Sequence, residues 1–183
     1  MRKQSFALLA VLLALLCGPL LAGNPKELGI GRAASPGELA ARAISVAPDG
    51  KGLPPGQGNA ITGRAVYMAK CAACHGVKGE GNDDFPQLVG GRGTLATAQP
   101  IQTVGSFWPY ATTVWDYVNR SMPYQDAGSL TADEVYAVTA YLLHQNGIVG
   151  ERTELNRSNL ADIKMPNRDG FVADPRPDVA AKK

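Results

Sequence analysis

An all-α fold is what this sequence predicts. Two segments combine helical spacing with clear end signals, a third stops at a proline, and no run shows the strict alternation of a strand. The first helix is expected over 63–75, from Gly63 through YMAKCAACH, which consists of good helix formers and ends at Gly76. The last is expected over 131–147, where Thr131 as N-cap and Glu134 three residues on make a capping box and Asn146-Gly147 closes the segment. Val135, Val138 and Leu142 form its apolar stripe, with Tyr141 as a large anchor beside them. Between them ATTVWDYVNRS, about 111–121, stops at Met122-Pro123, because proline disfavours helical geometry in the residue before it. The stretch following Gly76 is mostly irregular.

The flanks divide the chain. Residues 1–23 read as an export signal: Arg2 and Lys3, an apolar run from Phe6 to Leu16, then small residues at Ala22 and Gly23. The run is shorter than the roughly 20 residues of a bilayer crossing, so cleavage is expected, Cys17 leaves with the signal, and the mature chain is expected to be periplasmic without a transmembrane segment. Residues 24–60 form an extended N-terminal arm with one short helical piece at Pro36–Ile44, 61–147 the helical domain, and 148–183 a C-terminal extension, both flanks being Gly- and Pro-punctuated. The flanks carry isolated apolar points, Leu39, Ile44, Leu53, Leu160, Ile163, Met165 and Phe171. These are expected to anchor extended segments across a partner, the plainer reading being that they wrap their own domain.

Charge excludes one class of partner. Of the 18 Lys and Arg residues, Arg2 and Lys3 lie in the signal, which leaves 16 bases against 16 acids. A neutral mature chain lacks the basic face that nucleic acid requires.

The chemistry concentrates in KCAACHG, 70–76. Cys71, Cys74 and His75 fall at i, i+3 and i+4 and share one helix face. A zinc site drawing also on His144 would strain its tetrahedron, because Cys74 and His75 are adjacent. A thioredoxin-like redox pair needs a βαβ setting that is missing, and a structural disulfide leaves the histidine unexplained. C-x-x-C-H is the attachment motif of one covalently bound haem c: both thiols add across haem vinyl groups and the next residue places its imidazole under the iron.

His75 leaves a sixth iron position. Met122, in RSMPY, and Met165, in IKMPN, both precede proline, which stiffens a loop around a weak thioether ligand. Met122 is favoured, because it lies between two helices of the domain whereas Met165 must fold back over it; Met68 belongs on the proximal side. His144, in the last turn of a helix, suits the helix dipole better than iron. For Trp108, Tyr110, Trp115 and Tyr117 two readings stand: packing the haem and hydrogen-bonding its propionates, with Trp108 and Trp115 favoured for the pocket, or ordinary core and surface aromatics. Arg92 has the same two readings, a propionate partner or an exposed loop arginine.

With these features in place, residues 61–146 resemble a class I c-type cytochrome: the CAACH helix, GEGNDDFPQL after it, the Met-Pro loop and a capped final helix with an aromatic near its end. The resemblance implies the class I cytochrome c fold, here with extended N- and C-terminal arms. It also implies that Pro86 offers its carbonyl to the His75 ring N–H, that Leu88 lines the haem, that Met122 is the distal ligand, and that Gly63 and Tyr67 meet Tyr141 where the first and last helices cross. A narrower resemblance rests on GLPPGQG, TVGSFWPYATTVWDYVNRSMPY and LADIKMPNRDGFVADPRPD. These are similar to the cytochrome c subunit of the sulfane (sulfite) dehydrogenase of the Sox sulfur-oxidation pathway, whose partner is a molybdenum-cofactor subunit. One departure stands out: that family's subunit often carries a second haem domain, whereas this chain has a single CAACH.

The implied function is electron transfer, with no catalytic residues of its own, from a molybdenum sulfite/sulfane dehydrogenase to a downstream electron acceptor. A freely diffusing periplasmic shuttle to a terminal oxidase is the alternative. A haem enzyme fits less well, because the sequence supplies neither a distal histidine nor a free cysteine.

Overall fold

The computed structural model describes residues 30–174 and 176; the expected signal, 1–23, lies outside them. The chain divides after Arg42 into two compact units. The first contains α1, Pro36–Arg42, two residues shorter than expected and with no buried residue. Ser35 and Glu38 cap it reciprocally, Ser35 N–H donating to the Glu38 carboxylate at 2.8 Å and Glu38 N–H to the Ser35 hydroxyl at 3.3 Å.

The second unit is built on four helices: α2, Ala60–Lys70; α3, Ala72–His75; α4, Ala111–Ser121; and α5, Ala132–Gln145. The helix expected over 63–75 is thus two, broken at Cys71, whose φ of −123° departs from helical geometry. It also begins earlier. Asn59 is its N-cap, the side-chain oxygen accepting from Ile61 and Thr62 N–H at 3.0 and 3.1 Å, so Gly63 lies inside the helix. A Cβ at Gly63 would collide with the Ala137 carbonyl of α5. Glycine is there for close approach, and the crossing is completed by Tyr67 and Tyr141, whose ring centroids are 5.0 Å apart.

α5 keeps its expected capping box at Thr131 and Glu134. Its apolar surface is broader than a stripe: every residue from Val135 to Leu143 is buried. A helix covered all round has no solvent face to reserve for polar residues. α2 crosses it at Ala137 and Tyr141, and α4 meets it through Trp115 and Tyr136, 5.4 Å between centroids.

The flanks supply the rest of the cover. Gln57–Gly58 (β1) pairs antiparallel with Leu155–Asn156 (β2), a short ladder where no strand was expected. The Tyr136 hydroxyl donates to the Pro54 carbonyl at 3.0 Å, and Gln57 N–H donates to Asp133 at 2.7 Å. Beyond β2 a 3₁₀ turn, Leu160–Asp162, leads to Met165. Val46, Leu155, Leu160 and Met165 are all buried in the one core cluster, and Leu53 and Ile163 pack against it. The expectation that these points reach for a partner therefore fails for Leu53, Leu160, Ile163 and Met165. Burial stabilises each large one by roughly 2 kcal/mol, and the domain's own apolar surface is the nearest place to obtain it. Leu39, Ile44 and Phe171 stay exposed. Among the described residues no helix is long and apolar enough to cross a membrane.

One buried polar contact fastens the 43–50 segment to α4. Asp116 is 7% exposed and accepts from Val46 N–H at 2.7 Å and from Arg120, while Thr112 donates to the Pro48 carbonyl at 3.0 Å. Burial works to raise the Asp116 carboxyl, but Arg120 and the Val46 N–H outweigh it and hold it below the usual range. The Arg120 side chain is 41% exposed, so solvent screens its share. Asp116→Ala is expected to lower stability by about 2 kcal/mol near neutral pH, as loss of a buried charge-assisted hydrogen bond does. Because the folded-state pKa is depressed, this stability is present above the ordinary carboxylate pKa and disappears as pH falls through the folded one. Denaturant midpoints of both proteins across that range test it; equal midpoints at neutral pH count against it.

Candidate haem site

The site begins where α3 ends. Cys74 N–H and His75 N–H both donate to the Cys71 carbonyl, at 3.1 and 3.0 Å, a single turn that brings Cys71, Cys74 and His75 to one side. Gly76, with φ of +82°, then turns the chain out of the helix. Both thiols are half-buried. Burial, then the neighbouring Cys74, pushes the Cys71 thiol up to about 11.

His75 is 8% exposed. Its Nδ1 lies 2.9 Å from the Pro86 carbonyl oxygen, an acceptor only, so Nδ1 carries the proton and Nε2 keeps its lone pair. The Phe85 ring meets the imidazole edge-on, 6.2 Å between centroids. The loop holding Pro86 is tied back to α3. Gly81 N–H donates to the His75 carbonyl at 2.8 Å, and the Asn82 side chain donates to the Cys74 carbonyl at 3.0 Å while accepting from Phe85 N–H at 2.9 Å. The Tyr67 hydroxyl donates to the Gly76 carbonyl at 2.8 Å, and burial keeps that phenol neutral by pushing its pKa up. Asn82 was not singled out from the sequence; an Asn beside acidic residues in a Gly-rich turn was the available sign, and side-chain capping of such turns is common.

The other expected pocket residues gather along the border of the same core. Leu88, Trp108 and Met122, like Cys71, are partly buried and packed against it, and Trp115 lies inside it at 1% exposure. Met122 is the C-cap of α4, and its bond to Pro123 is cis. The Trp115 indole N–H is buried and finds no partner among the described residues. An unpaired buried donor is costly, and a cofactor carboxylate at this spot would satisfy it. With a half-buried apolar border, a free imidazole Nε2 and two thiols one turn apart, the residues present fit a covalently held haem.

Several candidates are used elsewhere. Met165 is 3% exposed in the core cluster. His144 Nδ1 pairs with the Val149 carbonyl at 3.2 Å, just past α5. Arg92 donates to the Asn146 carbonyl at 3.0 Å, capping α5. Tyr110 lies under the Arg168 guanidinium at 4.4 Å, and Tyr117, 45% exposed, stacks edge-on with Trp108 at 5.6 Å. A groove of about 470 Å³ lined by Ile61, Arg64, Met68, Val77 and His144, among others, includes none of the residues expected to hold the haem.

Comparison with known proteins agrees with this geometry. The family model described as Cytochrome c matches residues 60–146. Among solved structures, the sulfane dehydrogenase SoxCD from Paracoccus pantotrophus contains a similar chain: 47% identity and a TM-score of 0.76, over 82% of this chain and 74% of that one. A thiosulfate dehydrogenase from Psychrobacter arcticus is 29% identical over 114 residues, 55% of this chain and 32% of the relative. A cytochrome c-554(547) from Halothiobacillus neapolitanus is 46% identical over 33 residues, 18% of this chain and 36% of the relative. The chain spans about a third of the length of these two relatives. By sequence, by fold and by the CAACH site, the chain belongs to the cytochrome c family, the electron-transfer proteins that carry haem c covalently.

Proposed function

We propose that this chain is the electron-accepting cytochrome subunit, or dedicated partner, of a periplasmic molybdenum sulfite/sulfane dehydrogenase. The observation that carries the reading is the extent of the likeness to the SoxCD chain: it takes in 82% of this sequence, well beyond residues 60–146. A shared haem domain alone would stop near those limits. That one curated relative is a thiosulfate dehydrogenase supports the same substrate class, reduced sulfur compounds. A neutral mature chain favours a lasting partner over a shuttle, since a shuttle that meets several proteins briefly gains from charge steering.

The residues take the following roles. The Cys71 and Cys74 thiols would hold the haem, each by adding across a vinyl double bond, sulfur to one carbon and hydrogen to the other. His75 Nε2 would ligate the iron, and the Pro86 carbonyl holds the proton on Nδ1, fixing ring orientation and making the imidazole a stronger donor. Met122 would supply a thioether ligand to the iron, Trp115 would donate its indole N–H to a propionate, and Leu88 and Trp108 would keep water away. Bound there, haem c supplies a one-electron Fe(II)/Fe(III) couple, which thioether ligation poises towards the reduced state.

Cys71→Ala combined with Cys74→Ala is expected to leave no haem-staining band on a denaturing gel. Met122→Ala abolishes the weak near-infrared sulfur-to-iron band of the oxidised protein while Met165→Ala retains it; the reverse overturns the ligand assignment. Because Leu155, Leu160 and Met165 belong to the core, the flank to remove in testing the partner is 24–42, whose α1 buries nothing. That deletion is expected to leave the haem spectrum unchanged, weaken copurification with the molybdenum enzyme and slow electron transfer from sulfite or a sulfane. Undiminished complex formation would return the freely diffusing shuttle to first place.

A further inference from the structure

We propose that Asn146 is a positioning residue for the haem site: its side-chain amide holds the backbone at 88–90 and, through it, the Pro86 carbonyl against His75. Nothing in the family match singles out this residue, which the sequence marks only as a helix end. Its Nδ2 donates to the Leu88 carbonyl at 3.1 Å and to the Leu142 carbonyl of α5 at 2.9 Å, and its Oδ1 accepts from Gly90 N–H at 2.9 Å. One amide thus joins the last helix to both sides of Val89. The same stretch is held from its other edges: Leu88 N–H donates to the Gly79 carbonyl at 2.8 Å, and Thr103 donates to the Gly90 carbonyl at 2.6 Å.

Pro86 itself is exposed and has no N–H, so its carbonyl stands where its neighbours put it. Asn82 fixes Phe85 on one side and Asn146 fixes Leu88 on the other. The position requires an acceptor and a donor at the end of a short side chain, which asparagine provides and aspartate or serine does not fully replace. Gly105 leaves the room: a Cβ there would fall on Asn146 Oδ1.

This inference rests on His75 as proximal ligand. The experiment uses the haem-loaded, reduced protein and reads the exchange rate of the His75 Nδ1 proton by NMR together with the reduction potential. In Asn146→Ala the proton is expected to exchange roughly tenfold faster, because local opening of the loop then breaks fewer bonds. The potential is expected to rise, because an imidazole with a weakened acceptor donates less to Fe(III). Asn159→Ala is the control for simple loss of stability. Asn159 also bonds two backbone groups, Asn156 N–H at 2.9 Å and the Glu154 carbonyl at 2.9 Å, but none in the 79–92 loop. It should change neither reading. If Asn146→Ala does not accumulate with haem, Gly105→Ala, which displaces the amide without removing it, is read the same way. Unchanged exchange and potential in the variant, or equal changes in Asn159→Ala, overturn the proposal. Should His75 not be the ligand, the wild-type proton would lack the ring-current shift of an axial imidazole, a failure visible before any variant is read.

Discussion

The crossing of α2 over α5 is the constraint from which the rest of the molecule follows. Two helix backbones come together because Gly63 has no side chain to hold them off the Ala137 carbonyl, and Tyr67 and Tyr141 pack ring against ring beside the crossing. Tyr67 does more than pack. Its hydroxyl reaches the Gly76 carbonyl, immediately after His75, so the contact that joins first and last helices also sets the end of the haem-binding turn. A buried phenol must find an acceptor, and this one finds it where the chain leaves α3. The heavily buried α5 then acts as the common support for α2, α4 and both flanks.

Around that support the site is arranged by rigidity rather than by charge. Protonation of the His75 ring is directed by a backbone carbonyl, and no titratable side chain is needed to choose the tautomer. The loop that supplies the carbonyl is stitched by side-chain amides and backbone hydrogen bonds. Electron transfer benefits from a centre whose surroundings change little between oxidation states, and a loop held at several points by neutral hydrogen bonds reorganises little when one charge is added or removed.

How much could be read beforehand depended on whether the signal was local. The capping box at Thr131 and Glu134, the proline after Met122 and the C-x-x-C-H spacing each lie within a few residues, and each has its counterpart in the structure. The start of α2 was missed although Asn59 and Thr62 also form a local box, because a Gly- and Pro-rich prefix masks it. The flanks were misjudged for a different reason. Leu53, Leu160, Ile163 and Met165 look isolated along the chain, and only the three-dimensional arrangement shows that they converge on one core. Asn82 and Arg92 belong to the same class: their partners lie several to many residues away, where no spacing rule reaches. Trp108 and Trp115, which the sequence could not separate, differ plainly in burial, and of the two it is Trp115 whose indole N–H is buried without a partner among the described residues.

The pairing of Gln57 with Asn156 places the two margins of the domain side by side. Such a closure is non-local, and a chain made from its N-terminus cannot complete it until the last buried side chains have emerged. The CAACH motif is then available while Leu155, Leu160 and Met165 are still missing from the core. The segment that emerges last is therefore the one that completes the core, and the order of the sequence sets the order in which the packing can close.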